Sequence, residues 1–308
     1  MSTAHPQQHL SFRIRDVGYQ NIAIAGATGS VGPSITRALV DAGFTVTALS
    51  LSGKTGGLPS QVTTIKVDYS FHEALANVLN GQDALISLIP TPGEQPALVD
   101  AAIAAGVKLF IPNEFGSDIT GNAQAAALPL SQDKKKTLDY LRARTDRISY
   151  ISIVTEMFFD WGLQANFLAN LKGGPIRVFD GGDVVVGTTT LADTGKTVVA
   201  ALKNPEAFKN RPVYVQSAKI TQNQVLAIVQ KKKPGLHFER EDVRVADVEK
   251  DAYAKFAQGD MSAIMGFITA AVFNPVYAKT KSAEDDNKLV SIKEMTPEEV
   301  ETFGEWFL

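Results

Sequence analysis

Ile22-Ala-Ile-Ala25, then Gly26-Ala-Thr-Gly29-Ser-Val-Gly32, then Pro33 to Ala42 decide the fold of this chain. An apolar run, a turn punctuated by glycine and a helix-like segment follow one another directly. That order is a strand–turn–helix unit whose turn can cradle a phosphate. Gly26 permits the tight turn. Gly29 lets the backbone approach a pyrophosphate, and Gly32 lets helix and strand pack closely. The helix N-terminus offers free N–H groups and the positive end of its dipole. Thr28, Ser30 and Val31 complete the cradle, so the turn reads as the pyrophosphate site of a dinucleotide cofactor.

The second strand, Phe44-Thr-Val-Thr-Ala-Leu49, indicates which dinucleotide. An Asp or Glu at the end of this strand would grip a ribose 2′-hydroxyl. This chain has Ser50 there, and no acidic residue occurs between Asp41 and Asp68. Ser50, Ser52 and Lys54 supply hydroxyl donors and a cation, which suit a 2′-phosphate. The sequence therefore favours NADP(H) over NAD(H).

Alternation then continues. Val62 to Val67 reads as a third strand ending at Asp68, followed by a helix over about 71–79. Asp83 to Ile89 is a continuous apolar strand of the kind buried on both faces, broken by Pro90-Thr91-Pro92. A helix over about 95–105, a fifth strand Val107–Ile111, a helix over about 132–144 and a sixth strand Ile148–Val154 follow. Such alternation predicts an α/β, doubly wound parallel sheet of the Rossmann type with a smaller C-terminal substrate lobe. The cofactor domain is placed at 19–155 plus about 191–215. The substrate lobe takes about 156–190 and 216–308, and residues 1–18 form a polar extension. Ligands of open α/β sheets lie at the carboxyl ends of the strands. Asp68, Pro90, Thr91, Asn113 and Phe115 therefore join the cofactor set, as does Lys134 of the helix over about 132–144.

Bulk properties exclude several classes. The 308-residue chain is 44 % hydrophobic with net charge −3, so it can bury a large core and shows no basic face for nucleic acid. It has no cysteine, which removes disulfides, thiol catalysis and cysteine-bound metals and fits a reducing compartment. The extension lacks the apolar centre of a signal peptide. Met261 to Phe273 is too short to cross a bilayer and reads as a buried helix. A cytoplasmic monomer or homodimer is expected, acting on a small molecule without membrane or nucleic-acid partners. No metal site is expected, since His5 and His9 lie in a tail with no helical pattern. Thr194-Gly-Lys-Thr197 resembles the end of a P-loop, but threonine stands at 190 where that motif needs glycine. Asp193 reads as the cap of a helix beginning near Thr194.

No Tyr-x-x-x-Lys pair lies near the strand ends, since Tyr277 and Lys281 come too late in the chain. The proton carrier must be sought elsewhere, and Lys134 fits. Residues three, four and seven apart share a helix face. Lys134 thus shares the inward face of Leu130, Thr137, Leu138 and Leu141. Lys135 lies with Ser131, Asp139 and Arg142 on a solvated face, and Lys136 lies between the two. A desolvated lysine near two further cations has a lowered pKa and suits general acid/base work near neutrality. Glu114, in the loop Pro112-Asn-Glu-Phe-Gly116, adds a second ionisable group. Met157, Phe158 and Trp161, after the sixth strand, read equally as the wall of an aromatic substrate pocket or as core.

Gly-Ala-Thr-Gly-Ser-Val-Gly, Lys108-Leu-Phe-Ile-Pro-Asn-Glu-Phe-Gly116 and the lysine helix closely resemble the NmrA-like and isoflavone reductase-like families, atypical short-chain dehydrogenases. The resemblance covers roughly residues 20–250, and the wording is similar to that of fungal members, often found in secondary metabolism. It implies NADPH as cofactor and Lys134 as the family's helix lysine. Plant members carry an arginine after the second strand; Leu51 stands there, leaving the grip to Ser50, Ser52 and Lys54. Plant members have Asn where this chain has Glu156, which implies a different substrate. Three functions remain open. The first is an NADPH-dependent reductase of an aromatic or heterocyclic molecule, with Lys134 as general acid/base. The second is a non-redox cyclase or isomerase using Glu114, Glu156 and Lys134 beside a retained cofactor. The third is a sensor that binds NADP(H) without turnover.

Overall fold

The computed structural model describes residues 19–90, 93–278 and 282–305; the expectations for the 1–18 extension and Thr91 lie outside them. The first half alternates as its periodicity requires. Strand β1 (Asn21–Ala25) leads to helix α1 (Gly32–Asp41), then β2 (Thr45–Ser50), β3 (Thr63–Lys66), α2 (His72–Leu79) and β4 (Ala84–Ser87). Helix α3 (Glu94–Ala104), β5 (Leu109–Ile111), α4 (Ala123–Ala127), α5 (Gln132–Arg142) and β6 (Ser149–Val154) follow. The second half runs β7 (Met157–Phe158), α6 (Phe159–Gln164), β8 (Gly174–Phe179), β9 (Val186–Thr189), α7 (Leu191–Lys203), α8 (Pro205–Phe208) and β10 (Arg211–Tyr214). It closes with β11 (Ala218–Ile220), α9 (Gln222–Lys232), β12 (Phe238–Val243), α10 (Val245–Ala257), α11 (Ala263–Phe273), α12 (Glu284–Val290) and α13 (Pro297–Glu305).

Seven strands form one sheet in the order β10-β6-β5-β4-β1-β2-β3, and every pairing is parallel. Helices cover both faces, which explains why β4 is buried at all four positions, three of them apolar. One face packs Ile22, Ile24 and Ile86 with Ile35, Leu39, Val198 and Leu202 of α1 and α7. The other packs Ala23, Leu85 and Phe110 with Leu75, Leu98, Leu138 and Leu141. Consecutive strands run outward in opposite directions from β1 and β4. Their loops diverge there and leave the crevice in which open α/β sheets bind ligands.

The remaining elements form a three-stranded sheet, β11-β9-β7, and a β8–β12 pair. They share a core of Met157, Phe159, Phe179, Ile220, Val225 and Phe273. The Thr194–Thr197 segment departs from expectation. Helix α7 begins at Leu191, and its cap is Thr190, whose hydroxyl accepts from the Asp193 N–H at 3.0 Å. Asp193 instead accepts from the Ser217 hydroxyl at 2.6 Å. A Cβ on Gly195 would lie 2.8 Å from the Ala38 Cβ, so this glycine serves the close packing of α7 on α1.

Candidate functional site

Local geometry explains the glycines of the first turn. Gly26 has φ +83°, and a Cβ there would lie 3.0 Å from the Leu88 carbonyl. It therefore keeps the first turn against the loop after β4. A Cβ on Gly32 would overlap the Ala27 carbonyl, so α1 can begin so close to the strand only with glycine there. Gly29 is different. Its N–H donates to the Gly26 carbonyl at 3.1 Å, and its outer side is open, with Thr28, Gly29 and Ser30 all exposed. Val31 gives α1 no side-chain cap. The turn thus presents exposed backbone at an uncapped helix start, which fits a pyrophosphate. Tyr69, not foreseen from sequence, steadies it. Its hydroxyl donates to the Leu49 carbonyl at 2.9 Å beside Gly26, and burial pushes the phenol up to about 12.

At the end of β2, the Ser50 hydroxyl accepts from the Gly53 N–H at 3.1 Å and lies 3.3 Å from the Ser52 hydroxyl. The Lys54 N–H donates to the Ser52 Oγ at 3.2 Å. Ser52 and Lys54 are exposed, and Leu51 is 63 % exposed. A Cβ on Gly56 would lie 3.0 Å from the Thr28 Cβ, so this loop leans over the pyrophosphate turn. Asp68 binds its own turn, accepting from the Ser70 N–H and hydroxyl at 2.9 and 2.6 Å. Those bonds hold its carboxyl below the usual carboxylate range.

The loops after β4 and β5 are tied together. The Asn113 amide donates to the Ile89 carbonyl at 2.9 Å, and Gln95 donates to the same carbonyl at 3.1 Å. Asn113 thereby fixes the position of Pro90, which is exposed. Phe115 is buried in the sheet core, so only its backbone faces the crevice loops. Asp118, also missed from sequence, clamps the next turn. It accepts from the N–H groups of Thr120 and Gly121 at 3.0 and 2.6 Å and from the Tyr214 hydroxyl at 3.4 Å.

The ionisable groups converge on Gly116. A Cβ there would lie 3.9 Å from the Lys134 Nζ, and the Gly116 carbonyl accepts from the Glu156 N–H at 3.1 Å. Glu114 is 3 % exposed, and its Oε2 is buried with no hydrogen-bond partner. Burial pushes this carboxyl up to about 7, with the Lys134 and Arg142 charges opposing the rise. Burial also pushes the Lys134 ammonium down, opposed by Glu114. The neighbouring lysines do not cause that shift. Lys135 pairs with Asp139 at 2.6 Å and Lys136 with Asp133 at 2.8 Å, both at the surface. The helix therefore aims Lys134 inward and spends its neighbours on solvent-facing ion pairs.

Glu156 follows β6 with φ 53°, a left-handed conformation rare outside glycine. A Cβ on Gly187 would lie 3.2 Å from the Glu156 Cγ and 3.0 Å from the Gln216 Oε1, so Gln216 belongs beside it. Met157 and Phe159 are core. Phe158 and Trp161 are half-buried, and the Trp161 ring lies 5.3 Å from Phe167. Of the proposed substrate wall, Phe158 and Trp161 keep exposed surface while Met157 is packed away. Among the described residues, no cluster of His, Asp or Glu could hold a metal, and no helix is long and apolar enough to cross a membrane.

Comparison with known proteins places this geometry. The sequence profile of the NmrA-like family matches residues 19–307. A stretch of 217 residues is 34 % identical to oxidoreductase aprR of Aspergillus flavus, covering 68 % of this chain and 73 % of that protein. Oxidoreductase poxI of Penicillium oxalicum is 25 % identical over 90 % of this chain and 91 % of its own. The solved structure of AtPrR2 with NADP+ and (+)pinoresinol superposes with a TM-score of 0.72. It covers 94 % of this chain and 99 % of its own at 20 % identity, a likeness of fold.

Proposed function

We propose a reductase function for this chain, which belongs to the NmrA-like family. It is an NADPH-dependent oxidoreductase that reduces an activated C=C, C=N or C=O bond of an aromatic or heterocyclic small molecule. The names of its fungal relatives and the NADP+ of the structural neighbour support that reading; a place in secondary metabolism is part of the proposal. The exposed turn Thr28, Gly29 and Ser30, with Val31 at the helix start, holds the pyrophosphate, and Ser50, Ser52 and Lys54 hold the 2′-phosphate. Asp68, Pro90 and Asn113 shape the remaining walls. When bound, NADPH supplies the hydride. The chain supplies orientation and the proton.

One observation carries the assignment: Lys134 is turned inward against Gly116 while Lys135 and Lys136 are spent on surface ion pairs. Lys134 donates its proton to the substrate atom that gains charge, a general acid/base task. Glu114 lies behind it, buried, and can hold that proton near neutral pH. The half-buried rings of Phe158 and Trp161 offer apolar surface to an aromatic ring. Loss of NADPH absorbance with a panel of aromatic enones, imines and ketones tests this. Lys134→Ala should abolish the loss that wild type shows.

The left-handed backbone of Glu156 beside Gly116 gives the non-redox reading its own support. Local strain of that kind is stored at functional sites. In that case Glu114, Glu156 and Lys134 move protons within one substrate, and NADPH is retained unchanged. Product formed at constant NADPH absorbance distinguishes it. A sensor would show neither consumption nor any dependence on Lys134.

A further inference from the structure

The interval from Asp41 to Asp68 holds a second cation besides Lys54. Lys66 ends β3, and attention to the loop alone passes over it. In the sheet it is the register partner of Ser50, and the Val67 N–H donates to the Ser50 carbonyl at 3.0 Å. Paired residues of parallel strands point to the same face, so Lys66 and Ser50 stand side by side at the carboxyl end of the sheet. The Lys66 stem runs along the loop that follows. Its Cβ, Cγ and Cδ lie 3.2, 3.7 and 3.8 Å from where a Gly53 Cβ would stand. That is the glycine whose N–H donates to Ser50.

Nothing in the described residues employs this charge. Lys66 is exposed, and no carboxylate among the described residues pairs with it. Asp68, two positions on, is occupied by Ser70. Leu51 offers the loop no donor. Lys54, on the loop, and Lys66, on the strand, thus bring two exposed cations without a carboxylate partner among the described residues to the segment that holds two hydroxyls, in a chain whose net charge is −3. Such a group repels itself when empty and is complemented by a dianion that hydroxyls can also reach. The loop leans on Thr28, which sets this cradle next to the pyrophosphate turn.

We propose that Lys66 is the second cationic contact of the cofactor's 2′-phosphate, and that Lys54 and Lys66 together set the preference for the phosphorylated dinucleotide. The inference rests on the NADPH reading. The phosphate sits over Ser50 and Ser52, with one ammonium supplied by the loop and the other by the adjacent strand. Lys66 is a binding residue and takes no part in proton transfer.

Calorimetric titration of wild type, Lys66→Met and Lys66→Glu with NADPH, NADH and 2′,5′-ADP tests it. Lys66→Met should weaken NADPH and 2′,5′-ADP by about tenfold, the loss of one charge-assisted hydrogen bond. NADH should bind as to wild type, which also shows that the fold is intact. Lys66→Glu should remove the preference altogether. If wild type prefers NADPH and Lys66→Met keeps that preference, the role of Lys66 is overturned and the NADPH reading stands. If wild type binds NADPH and NADH alike, both fall. Equal weakening of all ligands by Lys66→Met would also overturn the proposal, because the residue would then act on the fold rather than on the phosphate.

Discussion

The loop at the end of β2 and the space beneath α5 hold charge in opposite ways. Around Ser50 and Ser52 the cations are exposed, with no carboxylate partner among the described residues. Around Gly116 the carboxyl of Glu114 is 3 % exposed, and the Lys134 ammonium lies near enough to interact with it through its charge. An exposed cation acts by attraction at a distance and can select a ligand by its charge. Desolvation shifts both Glu114 and Lys134 toward their neutral forms, which suits a group that moves a proton and costs stability. On the proposed reading the same residue type, lysine, does two jobs that burial separates.

The comparison breaks first at Lys134. Lys134→Ala should cut turnover by about 10²–10⁴-fold, the usual range for a general acid/base, with NADPH affinity nearly unchanged. A comparable fall in affinity would move Lys134 to the exposed, ligand-holding class. Gly29→Val comes next. The open side of that turn would be filled by a branched side chain, and NADPH binding should drop below detection in a calorimetric titration while the thermal midpoint hardly moves.

Glu114 sharpens the buried half through stability. Below about pH 4.5 its carboxyl holds a proton whether folded or unfolded. Between there and about pH 7 only the folded protein keeps it. Stability therefore falls as pH rises through that window and levels off above it. Denaturant unfolding of Glu114→Gln should lack this slope, leaving the variant ahead by about 3 kcal/mol above neutrality relative to its position at pH 4. Parallel curves for wild type and variant would mean that the carboxyl is not buried in solution. Lys54→Glu should weaken NADPH by about tenfold or more and NADH much less. The smallest effects belong to Lys135→Ala and Lys136→Ala. Each breaks one surface ion pair worth about 0.5 kcal/mol, and turnover should stay near wild type.

Legibility followed the same division. The glycine turn, the alternating strands and the inward face of Lys134 all depend on residues close in sequence, so spacing revealed them. What spacing could not show was register. Lys66 meets Ser50 only because β3 pairs with β2, and Tyr69 reaches Leu49 across the same junction. Asp118 meets Tyr214 across 96 residues. Helix α7 starts three residues before the position its sequence suggests, because Thr190 and Asp193 are both good caps and Ser217 engages both, accepting from the Thr190 N–H and donating to the Asp193 carboxylate. In the C-terminal lobe, β8 pairs with β12 from far along the chain, and no local period marks that partnership.

A titration of the wild-type protein with NADPH and with NADH tests the central claim most directly. The account predicts binding at least about tenfold tighter for NADPH, because a 2′-phosphate gains charge-assisted hydrogen bonds at Ser50, Ser52 and Lys54 and meets no carboxylate there. Equal affinities, or tighter binding of NADH, would contradict it.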